Sequence, residues 1–281
     1  MSCKNPINIF LIGKGTEWNE SRSAFGRWVE CHCQQCGYCR FVRTRQWALR
    51  CYLENQCHQE SAFLNLSYAP EHLPEGKTLV VEHMQKFMKR LRSNVQYQYK
   101  QDKKIRFYLA GEYGEKNHRP HYHVLIFGFG FPDKKYFKKS EKSGLPLYRS
   151  DFLEKTWKFG HSWIGDVEIE SAAYVANYIR KKINGDEAEE HYKGRQPEFA
   201  LQSTSPGIGA DWYEQNKSWL WKEDVIECNR RYYRPPRYFE KLFEKEDPQG
   251  YQKWINEIRS KRKPLKQLGY AETIEAEKED D

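Results

Sequence analysis

The period of the apolar residues changes along the chain, and each change marks an element. In residues 82–98, Met84, Phe87, Met88, Leu91 and Val95 fall at i, i+3, i+4, i+7 and i+11, with Lys86, Lys89, Arg90 and Arg92 elsewhere around the wheel. That spacing predicts an amphipathic helix with a basic outer surface. Residues 43–58, "RTRQWALRCYLENQCH", lack Gly and Pro and carry Trp47, Ala48, Cys51 and Tyr52 at helical spacing, a second helix. "SAFLNLSYAP" at 61–70 reads as a short buried strand halted by Pro70. "KIRFYLAGEYG" at 104–114 and "RPHYHVLIFGF" at 119–129 predict two strands of a hairpin across a turn-rich loop. If Glu112 pairs opposite His121, then Ala110 falls opposite His123 and Tyr108 opposite Leu125, all on one face. "SDFLEKTWKFG" at 150–160 starts with a Ser/Asp cap and stops at Gly160 as a short helix does, "HSWIGDVEIE" follows as a strand, and "SAAYVANYIRKKIN" at 171–184 is a helix with Ser171 as its cap. The order β, α, β, β, α, β and a final helix predicts an α+β fold, an antiparallel sheet of ferredoxin-like outline with helices packed on it.

A chain of 281 residues buries one substantial core, or one domain with a smaller appended region. The boundaries read as a Cys-rich segment and helix at 1–60, a core at 61–195, an extension packed on it at 196–270, and an acidic, solvated tail at 271–281. "INIFLIG" at 7–13 is too short to cross a membrane and no cleavage pattern follows it, so a soluble, cytosolic protein without a membrane partner is expected. The net charge is +8, and the tail "AETIEAEKEDD" holds six acids against one lysine, so the body is more basic than the whole. Nine Trp, 19 Tyr and 15 Phe accompany that charge. Cations attract phosphates by counterion release and exposed rings stack on unpaired bases, so the combination favours a nucleic-acid partner.

Four of the eight cysteines crowd into "CHCQQCGYC" at 31–39. With no export signal, the successive C-x-x-C spacings of Cys33, Cys36 and Cys39, with Cys31 two residues before, suggest thiolate ligands of a structural zinc. The fourth ligand is open among Cys31, His32, Cys51 and Cys57. A second, separated C-x-x-C pair is absent, and a cluster of reduced thiols is the alternative.

The chemistry-bearing residues lie further on. His121 and His123, two apart in a strand, share a face, and the hairpin register brings the Glu112 carboxylate to them. Tyr174 and Tyr178 are four apart on a helix, about 6 Å from each other, with Lys181 and Lys182 extending the positive charge. A tyrosine hydroxyl, with an ordinary pKa of about 10, needs activation to attack phosphorus. A divalent ion on His121, His123 and Glu112 would polarise a phosphate oxygen, and Lys181 or Lys182 would share the developing charge. Glu115, in the hairpin loop, is the second choice for the carboxylate.

At these residues the sequence resembles a known family. "RPHYHVLIFG" looks like the HUH motif of rolling-circle endonucleases, and "YVANYIRKK" like the two-tyrosine motif of replication initiators of isometric single-stranded DNA phages. The series "CGYCR", "RQWALRC", "EHLP", "GEYGEKNHRPHYH", "LYRSDFLEKTWKFG", "IESAAYVANYI" and "PGIGADWYE" is similar to gokushovirus-type Microviridae replication initiation proteins over roughly residues 30–240. The resemblance implies an HUH endonuclease core that nicks single-stranded origin DNA with Mg2+ or Mn2+, stays joined to the 5′ end and leaves a 3′ hydroxyl for host helicase and polymerase. Carried over, His121 and His123 become metal ligands and Tyr174 and Tyr178 alternating nucleophiles, in the cytoplasm of a bacterial host. The first-strand motif departs from the common Thr-Leu-Thr-Tyr, with Asn65, Leu66, Ser67 and Tyr68 here; this bears on origin preference.

Tyr68, Arg119 and the "RRYYRPPRYF" stretch with Arg234 and Arg237 are the expected strand contacts. A solvated edge stiffened by Pro235 and Pro236 is the alternative for that stretch, and Gly207 and Gly209 in "TSPGIGADWY" are weak evidence of a phosphate loop. Two other functions fit part of the pattern. Non-haem iron oxygenases also use two histidines and a carboxylate, but have no use for a Tyr-Tyr-Lys-Lys helix. A non-catalytic RNA- or single-strand-binding protein with a structural zinc would explain charge and rings but not the paired histidines.

Overall fold

The computed structural model describes residues 3–4, 6–12, 26–33, 35–100, 103–114, 117–141, 144–181 and 187–263. The acidic tail, Glu115 and Lys182 lie outside them, as do the side chains of Tyr178 and Lys181. In chain order the elements are β1 (Ile7–Ile12), β2 (Gly26–Cys31), α1 (Gly37–Gln56), β3 (Ser61–Tyr68), α2 (Val81–Tyr99), β4 (Arg106–Tyr113), β5 (Pro120–Phe127), β6 (Lys135–Lys139), β7 (Pro146–Arg149), α3 (Asp151–Trp157), β8 (Gly160–Gly165), α4 (Ile169–Lys181), α5 (Glu187–Tyr192), β9 (Phe199–Gln202), α6 (Ala210–Glu223), β10 (Ile226–Cys228), β11 (Arg231–Tyr233), α7 (Arg237–Glu246) and α8 (Pro248–Glu257). A seven-stranded sheet in the order β6-β7-β8-β3-β5-β4-β9 is the centre, every neighbouring pair antiparallel.

The four middle strands, β8-β3-β5-β4, carry the expected β-α-β-β-α-β unit in its last-first-third-second arrangement, with α2 and α3 as its helices. Strand β3 shows why the sheet has two different faces. Ala62, Leu64, Leu66 and Tyr68 are buried on one side, while Phe63, Asn65 and Ser67 alternate with them and are half-buried. The buried side meets Met84, Phe87, Met88, Leu91 and Val95 of α2, the residues of the sequence pattern, and Phe152, Leu153 and Trp157 of α3. Ser150 caps α3 by accepting from the Leu153 N–H at 3.0 Å, as expected. The opposite face is covered at its β4–β5 end by α1 and α4, where Cys51, Tyr108, Ala110, Leu125, Val175 and Ala176 pack together. Toward β8 that face stays open.

Four local departures from the sequence reading have physical causes. Helix α1 starts at Gly37, six residues early, because its first turn is written in glycine and cysteine rather than in an apolar stripe. Helix α4 starts at Ile169, so Ser171 lies inside it and its hydroxyl reaches back to accept from the Glu168 N–H at 2.8 Å. The β6–β7 hairpin carries no alternation to read, since every β6 residue is exposed. Beyond residue 195, β9 joins the sheet edge on β4, while α6, β10–β11, α7 and α8 build a second apolar cluster on Leu49 and Leu53 of α1. Among the described residues no helix is long and apolar enough to cross a membrane.

A buried ion pair ties these layers. Glu54 of α1, fully buried, accepts from Arg106 of β4, from the Gly209 N–H at 2.7 Å and from His58 Nε2 at 3.0 Å. Burial pushes the Glu54 carboxyl up, but the bonds from His58, Gly209 and Arg106 outweigh it and hold the group below its ordinary value. Its contribution to stability is therefore full above the unfolded carboxylate pKa of about 4.3 and is lost as pH falls through the lower native value. Arg106→Met, which removes the main counter-charge, is expected to destabilise by about 3–5 kcal/mol, read by urea unfolding at neutral pH.

Candidate active site

Three side chains converge on the open end of the β4–β5 hairpin. The register places Glu112 opposite His121, Ala110 opposite His123 and Tyr108 opposite Leu125, as parity predicts. Glu112 Oε1 lies 2.5 Å from His121 Nε2 and 3.1 Å from His123 Nε2. Glu112 and His123 are buried, whereas the His121 side chain keeps 19% of its surface, so the cluster opens to solvent on that side. His121 Nδ1–H donates to the Arg119 carbonyl at 3.1 Å, which fixes the ring and turns Nε2 toward Glu112. The Phe63 ring lies parallel to His123 with centroids 5.8 Å apart, holding the second imidazole.

A carboxylate oxygen cannot donate, so a cation must stand between Glu112 and the two Nε2 atoms, as imidazole protons or as a metal ion. Burial pushes the Glu112 carboxyl up, but the bonds and charges of His121 and His123 more than reverse it and hold it at about 2. The three ligating atoms lie within 4.8 Å of one another. Two imidazole nitrogens and one oxygen on one side are a donor set for a divalent ion that keeps positions open. The residues fit such an ion.

Helix α4 lies against α1 and the same strands. Its buried positions Ala172, Val175 and Ala176 are short enough for close approach, and Thr44 Oγ1 of α1 donates to the Ala176 carbonyl at 3.4 Å. That docking sets Tyr174 edge-on to His123, ring centroids 5.2 Å apart, and edge-on to Phe63 at 6.3 Å, with 38% of Tyr174 exposed. The helix backbone runs on through Tyr178, one turn further along. Of the sequence-predicted catalytic set, the structure thus brings Tyr174, His121, His123 and Glu112 together.

The expected strand contacts fare differently. Tyr68 is buried, its hydroxyl bonded to His83 Nδ1 at 2.7 Å and to the Tyr122 hydroxyl at 2.8 Å, so its ring is core and offers no stacking platform. Arg234 donates to the buried Asp224 at 2.8 Å and to the Lys263 carbonyl, which makes it a structural ion pair. Arg119 is half-buried and donates to the Tyr68 carbonyl at 2.7 Å. Arg237 is exposed in the first turn of α7.

Sequence reasoning missed a surface that the sheet builds instead. Asn65 pairs with His123 on one side and Trp163 on the other, so Trp163 stands on the metal-site face two strands, about 10 Å, from His123. In the same way Ser67 links His121 to the exposed His161. Next to Trp163, the β6–β7 hairpin brings exposed Phe137 at 6.5 Å between centroids, Lys138 Nζ at 5.7 Å over the indole, and Arg149 at 5.4 Å over Phe137. Rings and cations interleave there as a single-strand surface requires.

The cysteines also regroup. Cys3, Cys33, Cys36 and Cys39 gather, whereas Cys31, expected as a ligand, is not among them. Cys51 is buried toward the sheet, and Cys57 Sγ–H donates to the Leu53 carbonyl.

Residues 61–183 match the model of a family of phage-type replication proteins, described as Replication-associated protein ORF2. The Replication-associated protein VP4 of Bdellovibrio phage phiMH2K is 29% identical over 84% of this chain and 74% of its own length. The Replication-associated protein ORF2 of Spiroplasma virus 4 is 28% identical over 93% of this chain and 86% of its own. The Replication-associated protein ORF4 of Chlamydia phage 1 is 30% identical over 82% of this chain and 58% of its own. No solved structure matches the chain.

Proposed function

Because residues 61–183 of this chain belong to the ORF2 family of replication-associated proteins and its relatives are replication-associated proteins of phages, we propose that it initiates rolling-circle replication by nicking and rejoining single-stranded origin DNA. The observation that carries this reading is the Tyr174 ring edge-on to His123 of the Glu112–His121–His123 cluster. A divalent ion, Mg2+ or Mn2+, held by Glu112, His121 and His123, would supply Lewis-acid polarisation of the scissile phosphate. The chain's own residues do the rest. The Tyr174 hydroxyl oxygen attacks phosphorus, the bond to the 3′ oxygen breaks, and the tyrosine proton ends on that departing oxygen. The 5′ side remains as a phosphotyrosine ester, which conserves the bond for rejoining. Lys181 and Lys182 are assigned the anionic load, and host helicase and polymerase extend the free 3′ hydroxyl in the bacterial cytoplasm.

Incubation with labelled origin-like single-stranded DNA and Mn2+, followed by denaturing electrophoresis, tests the reading. A protein-linked 5′ product is expected; binding without any covalent product would leave a single-strand-binding protein. The strand's path on the sheet is separately testable. With base stacking worth about 1–3 kcal/mol per ring, Trp163→Ala with Lys138→Ala is expected to weaken single-strand binding by roughly tenfold or more and to flatten its salt dependence. Fluorescence anisotropy across a salt series reads both, and unchanged affinity would place the strand elsewhere.

A further inference from the structure

The Glu112 centre leaves the second metal-like cluster unexplained. We propose that Cys3, Cys33, Cys36 and Cys39 together bind one zinc ion as four thiolates, and that this ion fastens the start of the chain and the β1–β2 hairpin to the first turn of α1.

The sulfur positions carry the proposal. Cys39 Sγ lies 3.6 Å from Cys3 Sγ and 3.9 Å from Cys33 Sγ, and Cys36 Sγ lies 3.9 Å from Cys3 Sγ. A tetrahedral ion with Zn–S bonds of about 2.3 Å requires sulfurs about 3.8 Å apart, whereas a disulfide requires about 2.05 Å. The spacing is that of a four-sulfur cage around one ion, and all eight cysteines are unbridged. The backbone supports the same state. Cys33 N–H donates to Cys3 Sγ at 3.3 Å, and the N–H groups of Gln35 and Cys36 donate to Cys33 Sγ at 3.5 and 3.3 Å. Thiolates accept such bonds far better than thiols do, and four thiolates so close would repel one another without a cation among them. Soft sulfur donors in a tetrahedron select zinc over the hard ions suited to the oxygen-containing site. Binding displaces the thiol protons to solvent and changes no oxidation state.

The location explains what the ion does. Cys36 is the residue before α1 and offers no side-chain oxygen to cap it, and Cys39 sits in the first turn. Cys33 follows β2, which pairs with β1, and Cys3 precedes β1. One ion therefore closes both ends of the β1–β2 hairpin onto α1, the helix whose remaining faces carry α4 and the C-terminal layer. A short hairpin alone is marginally stable, so a metal staple supplies what its small apolar area does not.

The test uses the full-length protein purified under reducing conditions from zinc-containing medium. Metal analysis is expected to find about one zinc per chain that survives dialysis against a weak chelator. Cys3→Ser is expected to lose it and Cys31→Ser to keep it, and Cys3→His, which restores a ligand, is expected to regain most of it. Cobalt replacement should give sulfur-to-metal charge-transfer bands that weaken in Cys3→Ser and persist in Cys31→Ser. Hydrogen exchange in β2 and the first turn of α1 should rise on zinc removal. Zinc retained in full by Cys3→Ser with an unchanged cobalt spectrum, or an absence of zinc in protein whose thiols all alkylate rapidly, would overturn the proposal. Because Cys31 is the nearer cysteine in sequence, its substitution separates this ligand set from a general loss of folding.

Discussion

Replacing His121 and His123 together by alanine will abolish nicking, a loss of about 10³-fold or more, while single-strand affinity stays within a few fold. The size follows from the chemistry assigned to the cluster. Removing stabilisation of developing phosphate charge costs several kcal/mol at the transition state, and each 1.36 kcal/mol is about tenfold in rate. Affinity survives because it rests on surfaces that the substitution leaves alone: the rings of Trp163 and Phe137 and the charges of Lys138 and Arg149. The variant carries a second, structural effect. Glu112 remains buried with both imidazoles gone, so the burial that pushes its carboxyl up is no longer opposed. In the native protein that carboxyl, held at about 2, contributes stability that is full above the unfolded carboxylate pKa and lost only as pH falls toward 2. The alanine pair forfeits this contribution, so its melting temperature will fall at neutral pH. Glu112→Gln keeps the volume without the charge and serves as the companion, expected to lose nicking as well. Gel assays of nicking beside anisotropy and melting curves separate the two effects. Full nicking by the alanine pair under stringent chelation would remove the metal site from the reaction.

Parity made most of this centre legible. Strand side chains alternate, so one assumed pair, Glu112 with His121, fixed the neighbours of His123 and the face they share. The same rule would have spared Tyr68 from the list of strand contacts. It lies an even number of residues from Ala62, Leu64 and Leu66, and so belongs on the apolar side, where the structure has it. Arg234 was misjudged for a different reason. A sequence stretch rich in arginines and tyrosines shows charge but not its partner, and here the buried Asp224 claims both Arg234 and Arg262. Cys3 was out of reach because nothing local links it to Cys33, thirty residues on; only closure of β1 on β2 brings them together. The β6–β7 hairpin left no periodic trace either, since a strand exposed along its length is written in lysines and aromatics without alternation. What escaped the sequence was therefore decided by contacts between distant segments.

The second large effect concerns the tyrosines of α4. Tyr174 stands edge-on to His123, and Tyr178 follows one helical turn later on the same helix. With an i, i+4 spacing, a modest rotation or strand shift lets each hydroxyl reach one phosphate held at the Glu112 cluster. One tyrosine then keeps the old 5′ end while the other attacks the regenerated origin, and the first releases a closed circle when a 3′ hydroxyl attacks its ester. On this scheme Tyr174→Phe and Tyr178→Phe each retain one covalent nick at reduced rate, and neither completes repeated cleavage and joining. The double substitution forms no adduct. Because Phe keeps the ring that packs on His123 and Phe63, the single Tyr174→Phe change removes the nucleophile without emptying its place. The competing arrangement has one catalytic tyrosine and one that only packs, in which case one single variant loses the adduct entirely and the other cycles normally. Peptide mapping of the DNA-linked residue in the wild type and in each variant distinguishes them, and modification of only one tyrosine throughout would overturn the alternating scheme while leaving the metal-assisted nick intact.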